Sequence, residues 1–148
     1  MNKLYEKYKD VDPSNINTAF LFACKNNDVA SIEYLLTSSD LKENAYIHAQ
    51  NGIGFLFACK SSVEAVRFLL TSPRLKEYAD IHIDGGKGLI NACGAGKLDI
   101  VKYLLTSAEL SSRININVFN NDAITKACGS GNLDLVKYLL NSQLNYFY

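Results

Sequence analysis

The stretch Gly88–Ser107, GLINACGAGKLDIVKYLLTS, decides the fold because the chain contains three further versions of it. The other versions are AFLFACKNNDVASIEYLLTS (19–38), FLFACKSSVEAVRFLLTS (55–72) and AITKACGSGNLDLVKYLLNS (123–142). An Ala-Cys pair marks each version, and successive pairs are 35, 34 and 35 residues apart. A Leu-Leu pair follows each of them. A fixed period of this size is typical of proteins built from stacked repeats.

Each repeat predicts two short helices. The first crosses the Ala-Cys pair, over about 18–26, 53–60, 88–94 and 123–129. In the last two repeats it is expected to end at Gly94-Ala95-Gly96 and Gly129-Ser130-Gly131, where glycine provides the positive φ of a helix exit. The second helix begins after an Asn, Asp or Ser and carries apolar residues three and four apart, as a packed amphipathic helix does. Repeat two has one residue fewer between Cys59 and Leu69 than the other repeats have at this point. The deletion is expected in the turn, because inside a helix it would rotate the apolar face.

The segments between repeats end in turn-forming pairs such as Asn51-Gly52, Gly85-Gly86 and Asn120-Asn121, which predict tight protruding turns. Helix, turn, helix and protruding hairpin resemble the ankyrin-repeat unit. The specific matches are A-C-x-x-G-x-L-D-[IL]-V-K-Y-L-L at 92–105 and 127–140, and Ala79-Asp80-Ile81-His82 in place of the family's G-A-D-x-N segment. The Thr-Pro of the family's T-P-L-H-x-A-A motif is missing, and Ala-Cys replaces Ala-Ala.

The resemblance implies an all-α solenoid of four helix-turn-helix repeats with short hairpin loops. We expect one domain over 1–148, with a short N-terminal cap at 1–17 and repeats at about 18–52, 53–87, 88–122 and 123–148. Terminal repeats of a solenoid need covering. The cap is therefore expected to lie over the apolar cluster Phe20, Leu21 and Phe22, and the tail at 143–148 over the last helix.

The composition narrows the possible roles. The chain has 148 residues with 15 basic and 15 acidic side chains, so it lacks the basic excess typical of a nucleic-acid or membrane-surface binder. The first ten residues do not resemble a signal peptide, and no window approaches a membrane span of about 18 apolar residues. We expect a soluble, cytoplasmic monomer. Its four cysteines occupy one equivalent position on helices about 8–10 Å apart, which is too far for a disulfide, so all four are expected to be reduced and packed.

The residue types that carry catalysis do not form a recognisable site. His48 and His82 occupy one position in adjacent repeats, and the repeat spacing is too wide for them to share a metal. Asp84-Gly85-Gly86-Lys87-Gly88 lacks the leading Gly and the Ser or Thr of a phosphate-binding loop, so we interpret it as a turn. We therefore predict no enzymatic activity, no metal and no cofactor.

A binding role for a folded protein partner follows from the resemblance, in which hairpin tips and first helices form the contact surface. The residues expected at these positions are Lys25, Asn26, Ile53, Lys60, Ser61, Lys87, Ala95, Phe119 and Asn121. Ile53 and Phe119 either stand exposed at the tips, where an apolar side chain needs a partner, or fold back onto the neighbouring hairpin. An adaptor is the leading hypothesis. A host-directed effector, or an inhibitor or immunity factor for a toxin, is the alternative, and an enzyme is the third.

Overall fold

The computed structural model describes residues 3–116 and 121–144, and these residues form helices, turns and loops without a β-strand. None of the helices in these two ranges is long and apolar enough to cross a membrane. The helices are α1 (Lys3–Tyr8), α2 (Ile16–Lys25), α3 (Val29–Thr37), α4 (Ala49–Ala58), α5 (Val63–Thr71), α6 (Ile83–Gly94), α7 (Leu98–Thr106), α8 (Asp122–Ser130) and α9 (Leu133–Leu144), with a 3-10 turn at Pro13–Asn15.

The chain divides into two compact units, Met1–Asp80 and Ile81–Tyr148, and each unit holds two helix pairs. In the first unit α2 packs on both α3 and α4, and α3 also packs on α5. In the second unit α6 packs on α7 and α8, and α8 packs on α9. First helices therefore pack on first helices within each unit. This arrangement confirms the helix-turn-helix repeats that the sequence period predicts.

The tight turns predicted at Asn51-Gly52 and Gly85-Gly86 are present. Residues 50–52 have φ of 50°, 58° and 75°, and residues 84–86 have φ of 49°, 68° and 90°. Three consecutive residues with positive φ form about one left-handed helical turn, a conformation that Gly and Asn adopt most readily. A right-handed helix then starts at residue 53 or 87. The corresponding turn of the next repeat falls partly on Asn120, outside the described residues.

The deletion in repeat two removes one left-handed residue from the turn between the helices. Asn27, Gly96 and Gly131 all lie three residues after the repeat cysteine, with φ of 58°, 69° and 76°. Repeat two has no left-handed residue there, and α5 begins at Val63, four residues after its cysteine instead of five. The predicted position of the deletion and the positive φ of both glycines are confirmed. Neither helix loses its register, because the extra residue lies outside both.

The core of the first three repeats combines one large apolar residue of the first helix with the first leucine of the Leu-Leu pair, whereas the first helix of the fourth repeat buries Ala123 and Ala127. Phe20, Phe55 and Leu89 are completely buried. So are the four leading leucines, Leu35, Leu69, Leu104 and Leu139. Their backbones also anchor the following loop, since the carbonyl of Leu35 accepts from Ala45 N at 2.8 Å and that of Leu69 accepts from Ala79 N at 2.9 Å. The loops after α3 and α5 are thereby hydrogen-bonded to the helices that precede them.

The N-terminal helix α1 covers the first repeat from the side of α3. The ring of Tyr8 is buried and stacks on Tyr34 with centroids 6.1 Å apart, and Lys7 Nζ lies 3.1 Å from Asp28 Oδ2. Phe22 nevertheless remains 60% exposed. The expectation that the cap covers this residue is wrong. Phe20 and Phe22 are two residues apart in one helix, about 200° around its axis, so the burial of one turns the other outward.

Candidate functional site

The exposed surface of α2 and α4 carries Phe22, the one large apolar helix residue of the first unit that is exposed among the side chains that the structure describes. Phe22 forms a groove with buried Leu21, half-buried Phe57 and the polar residues around them. We call this the α2–α4 groove; its lining residues are Thr18, Leu21, Phe22, Lys25, Gln50 and Phe57. The two aromatic rings come from equivalent positions, each two residues before the repeat cysteine.

Close helix packing fixes the floor of the α2–α4 groove. A Cβ at Gly54 would lie 2.9 Å from Phe20 Cε1 and 3.3 Å from Leu21 Cδ2, so α4 approaches α2 to a distance that only glycine permits. The Ser61 hydroxyl donates to the carbonyl of Phe57 at 3.0 Å and also lies 3.4 Å from the carbonyl of Lys25, so the turn of repeat two sits beside the end of α2. The groove is consequently built on two helices held together before any partner binds.

Lys25 lines the groove, and Lys60 directly precedes Ser61, whose hydroxyl lies 3.4 Å from the Lys25 carbonyl. Both lysines are exposed, and each directly follows a repeat cysteine. Asp28, the acid nearest in sequence to Lys25, is already engaged. Its carboxylate accepts from Ser31 Oγ at 2.6 Å, from Ser31 N at 3.0 Å and from Lys7 Nζ at 3.1 Å. These hydrogen bonds, that of Ser31 foremost, hold the pKa of Asp28 below its ordinary value.

The residues predicted from the sequence as contact positions lie mostly at the surface. Lys25, Asn26, Lys60, Lys87, Ala95 and Asn121 are exposed, and Ser61 is half-buried. Ile53, for which exposure at a tip and folding back were both left open, is half-buried. The tip lies at Gln50 and Asn51, and Ile53 already belongs to the right-handed helix. Phe119 and the end of the tail (145–148) lie outside the described residues.

Phe22 and Phe57 are the surface residues that the sequence analysis missed as contact positions. A signal for them existed in the repeat alignment. The equivalent residues of the other repeats are Asn91 and Lys126, and a position that accepts Asn and Lys faces solvent. The position is therefore free of the packing that fixes the neighbouring Ala-Cys pair.

The cysteines are free, as expected, but only three of them are packed. Cys24, Cys59 and Cys93 are buried, whereas Cys128 is exposed on the first helix of the last repeat. Burial disfavours the thiolate and raises the pKa of Cys24 and of Cys93 to about 12, and it raises the pKa of Cys59 further. These three thiols stay protonated and unreactive at neutral pH.

The two histidines make local contacts at the N-terminal ends of α4 and α6. His48 Nε2 lies 3.5 Å from Glu77 Oε2, and His82 Nε2 lies 2.6 Å from Ser112 Oγ. Within residues 3–116 and 121–144, no group of three or more His, Cys, Asp or Glu side chains is arranged to hold a metal ion. His82 thus contacts the loop that follows α7, 30 residues further along the chain.

The arrangement of paired helices, left-handed turns and glycine exits defines a helical repeat protein. A family model described as ankyrin repeats (3 copies) matches residues 55–147, and the chain belongs to the ankyrin-repeat family. The match leaves out the first repeat, although α2 and α3 have the same helix-turn-helix form as the pairs that follow. No curated protein and no solved structure gave a significant match. Ankyrin repeats are generally non-catalytic modules for protein–protein interaction.

Proposed function

We propose that this chain is a non-catalytic adaptor that binds a folded protein partner through the outward side of its first helices and the turns before them. The observation that carries the proposal is the exposure of Phe22, 60% open to solvent on a helix whose opposite face is fully buried. An aromatic ring on a rigid, preorganised surface is the type of side chain that dominates protein interfaces. Lys25 lines the same groove as Phe22, and Asn26 and Lys60 are exposed at the ends of α2 and α4.

The surroundings of the thiols support the non-catalytic part of the proposal. A nucleophilic cysteine needs a lowered pKa in an electropositive, accessible environment. The pKa values of Cys24, Cys59 and Cys93 are raised by burial instead. Their role is to pack the first helices closely. Free, buried thiols also fit a reducing compartment, and we propose that the protein acts there as a cytoplasmic monomer.

The experiment is a binding selection from a display library of folded protein domains, with the wild-type chain as bait. Each enriched clone is then measured against Phe22→Asp. The matched control is Tyr78→Asp, which introduces the same charge at a 51% exposed aromatic of the same unit, outside the helices. We expect Phe22→Asp to lose binding and Tyr78→Asp to keep it, with unchanged circular dichroism in both. Clones that tolerate Phe22→Asp and are lost with Tyr78→Asp would contradict the proposed surface.

A further inference from the structure

The α2–α4 groove combines an apolar floor with positive charge that the fold does not need. Lysines at helix ends often serve only the helix dipole. Here the positions equivalent to Lys25 and Lys60 are Gly94 and Gly129 in the other repeats, and those helices form without a cation. The fold does not need the two aromatic rings either, since Asn91 and Lys126 occupy the positions equivalent to Phe22 and Phe57 in the other repeats. Both features therefore vary independently of the repeat framework.

The positive charge at this groove is not neutralised by the chain itself. In the described part of the chain, no carboxylate lies within ion-pair distance of Lys25 or Lys60. The remaining polar lining residues, Thr18 and Gln50, are uncharged. Carboxylates on a partner surface would form ion pairs with both lysines.

Resting on the proposed adaptor function, we infer that the α2–α4 groove binds an acidic segment of the partner protein that carries one bulky apolar side chain. The apolar side chain lies against Phe22 and Phe57. Carboxylates on the same segment approach Lys25 and Lys60, and the turn of repeat two lies beside the end of α2, with the Ser61 hydroxyl 3.4 Å from the Lys25 carbonyl. Charge complementarity of this kind selects a partner and increases its association rate.

A nucleic acid could in principle stack a base on Phe22 and place phosphates near the lysines. Binding of this class depends on many phosphate contacts and on a basic stripe. The chain has a formal net charge of 0, and Lys25 is the one basic residue among those that line the α2–α4 groove. The acidic protein segment is therefore the better match, because one or two carboxylates suffice for it.

The test uses fluorescein-labelled synthetic peptides measured by fluorescence anisotropy. The probe has a central Phe flanked by Glu residues; matched peptides replace the Glu residues by Gln or Lys, or the Phe by Ala. We expect the Glu/Phe peptide to bind about tenfold more tightly than each matched peptide, and its affinity to fall with added salt.

Two double variants of the protein test the assignment to the groove. Lys25→Glu with Lys60→Glu is expected to weaken the Glu/Phe peptide by about tenfold or more and to strengthen the Lys/Phe peptide. The matched control, Lys42→Glu with Lys76→Glu, makes the same charge change on two exposed lysines after the second helices and is expected to alter the affinity by less than about twofold.

Several outcomes would overturn the inference. These are equal affinities for the Glu, Gln and Lys peptides, absence of binding by every peptide, an equal loss in both double variants, or tighter binding of a single-stranded oligonucleotide. Concentration-dependent dimers in sedimentation that disappear with Phe22→Asp would assign the groove to a second copy of this chain. If domain clones from the display selection are still lost with Phe22→Asp while no peptide binds, the adaptor function stands and the acidic-segment inference fails.

Discussion

The first helices of the two units share one framework and differ at the positions that the framework leaves free. In the first unit, the position two residues before the repeat cysteine holds Phe22 and Phe57; in the second it holds Asn91 and Lys126. The core positions beside it change little, since Ala58 and Ala92 are both completely buried. Packing thus determines one set of positions in every repeat. The other positions are free to differ, and they give the first unit exposed or half-buried aromatic rings where the second unit has polar side chains.

The largest expected effect compares the cysteines of the two units. Cys59 is buried, whereas Cys128 is exposed, so a thiol reagent reaches Cys59 only after the helices separate. We expect Cys128 to be alkylated at least about 100-fold faster than Cys59 in the native protein, and at a similar rate in denaturant. Site-resolved mass spectrometry during a labelling time course measures both rates. Similar alkylation rates of Cys59 and Cys128 in the native protein would show that α4, the first helix of repeat two, is not packed against its neighbours.

The buried thiols should also make the stability of the folded state depend on pH. The pKa of Cys24 and of Cys93 is about 12, because burial disfavours the thiolate. Between pH 7 and pH 9 these thiols therefore remain protonated in the folded state, and in the unfolded state they ionise with an ordinary pKa of about 8.5. The folded state is favoured below that value and loses stability above it, because unfolding then releases protons. Cys59, whose pKa burial raises further, acts in the same direction. The midpoint of urea unfolding should therefore fall from pH 7 to pH 9.5, and a variant with Ala in place of Cys24, Cys59 and Cys93 is the control, in which this fall should be smaller.

Partner binding should distinguish the two units next. Phe22→Asp is expected to cost at least about 2 kcal/mol of binding free energy, as for a central aromatic contact. Lys126→Asp changes the equivalent exposed position of the last repeat, and we expect it to cost less than about 1 kcal/mol. Calorimetric titration with a domain clone selected by the wild-type chain measures both. A larger loss for Lys126→Asp would move the contact surface to the second unit.

Alanine substitutions at Gly54 in α4 and Gly129 in α8 compare how tightly a first helix is packed in each unit. Gly54→Ala places a Cβ 2.9 Å from the ring of buried Phe20, and we expect a loss of about 1–3 kcal/mol of unfolding free energy. Gly129 lies within α8 with open space around it, so Gly129→Ala should stabilise by about 0.5–1 kcal/mol through helix propensity. Thermal unfolding followed by circular dichroism measures both changes. A neutral Gly54→Ala would show that α2 and α4 are not in close contact.

The smallest effect concerns the start of the second helices. Asp28 and Lys97 have almost the same backbone conformation, φ −92° and ψ 78° against φ −90° and ψ 78°. The Asp28 side chain caps α3 by accepting from Ser31 N, whereas Lys97 offers α7 no acceptor. Lys97→Asp is therefore expected to stabilise by about 0.5–1 kcal/mol, and Lys97→Ala to change little. Destabilisation by Lys97→Asp, measured by urea unfolding, would contradict this assignment of the cap.

The sequence predicts the framework well because packing repeats itself. The period, the two helices and the deleted turn residue all follow from the spacing of Ala-Cys and Leu-Leu. The first repeat taken alone does not decide which of Phe20 and Phe22 faces the core, because both are apolar. The repeat alignment does decide it, since Asn91 and Lys126 occupy the position of Phe22. The sequence also misplaces the tip at Ile53, since Gln50 adopts a left-handed conformation that its residue type seldom chooses.

The most direct measurement of the binding surface is an amide NMR titration of the labelled protein with the Glu/Phe peptide. If the α2–α4 groove binds acidic segments, the largest shift changes fall on residues 18–26 and 50–61. The equivalent residues of the second unit, 87–95 and 121–130, and the second helices α3 and α5 should change little. Largest changes in α3 and α5, or in α6 and α8, would contradict the assignment of the binding surface to the first helices of the first unit.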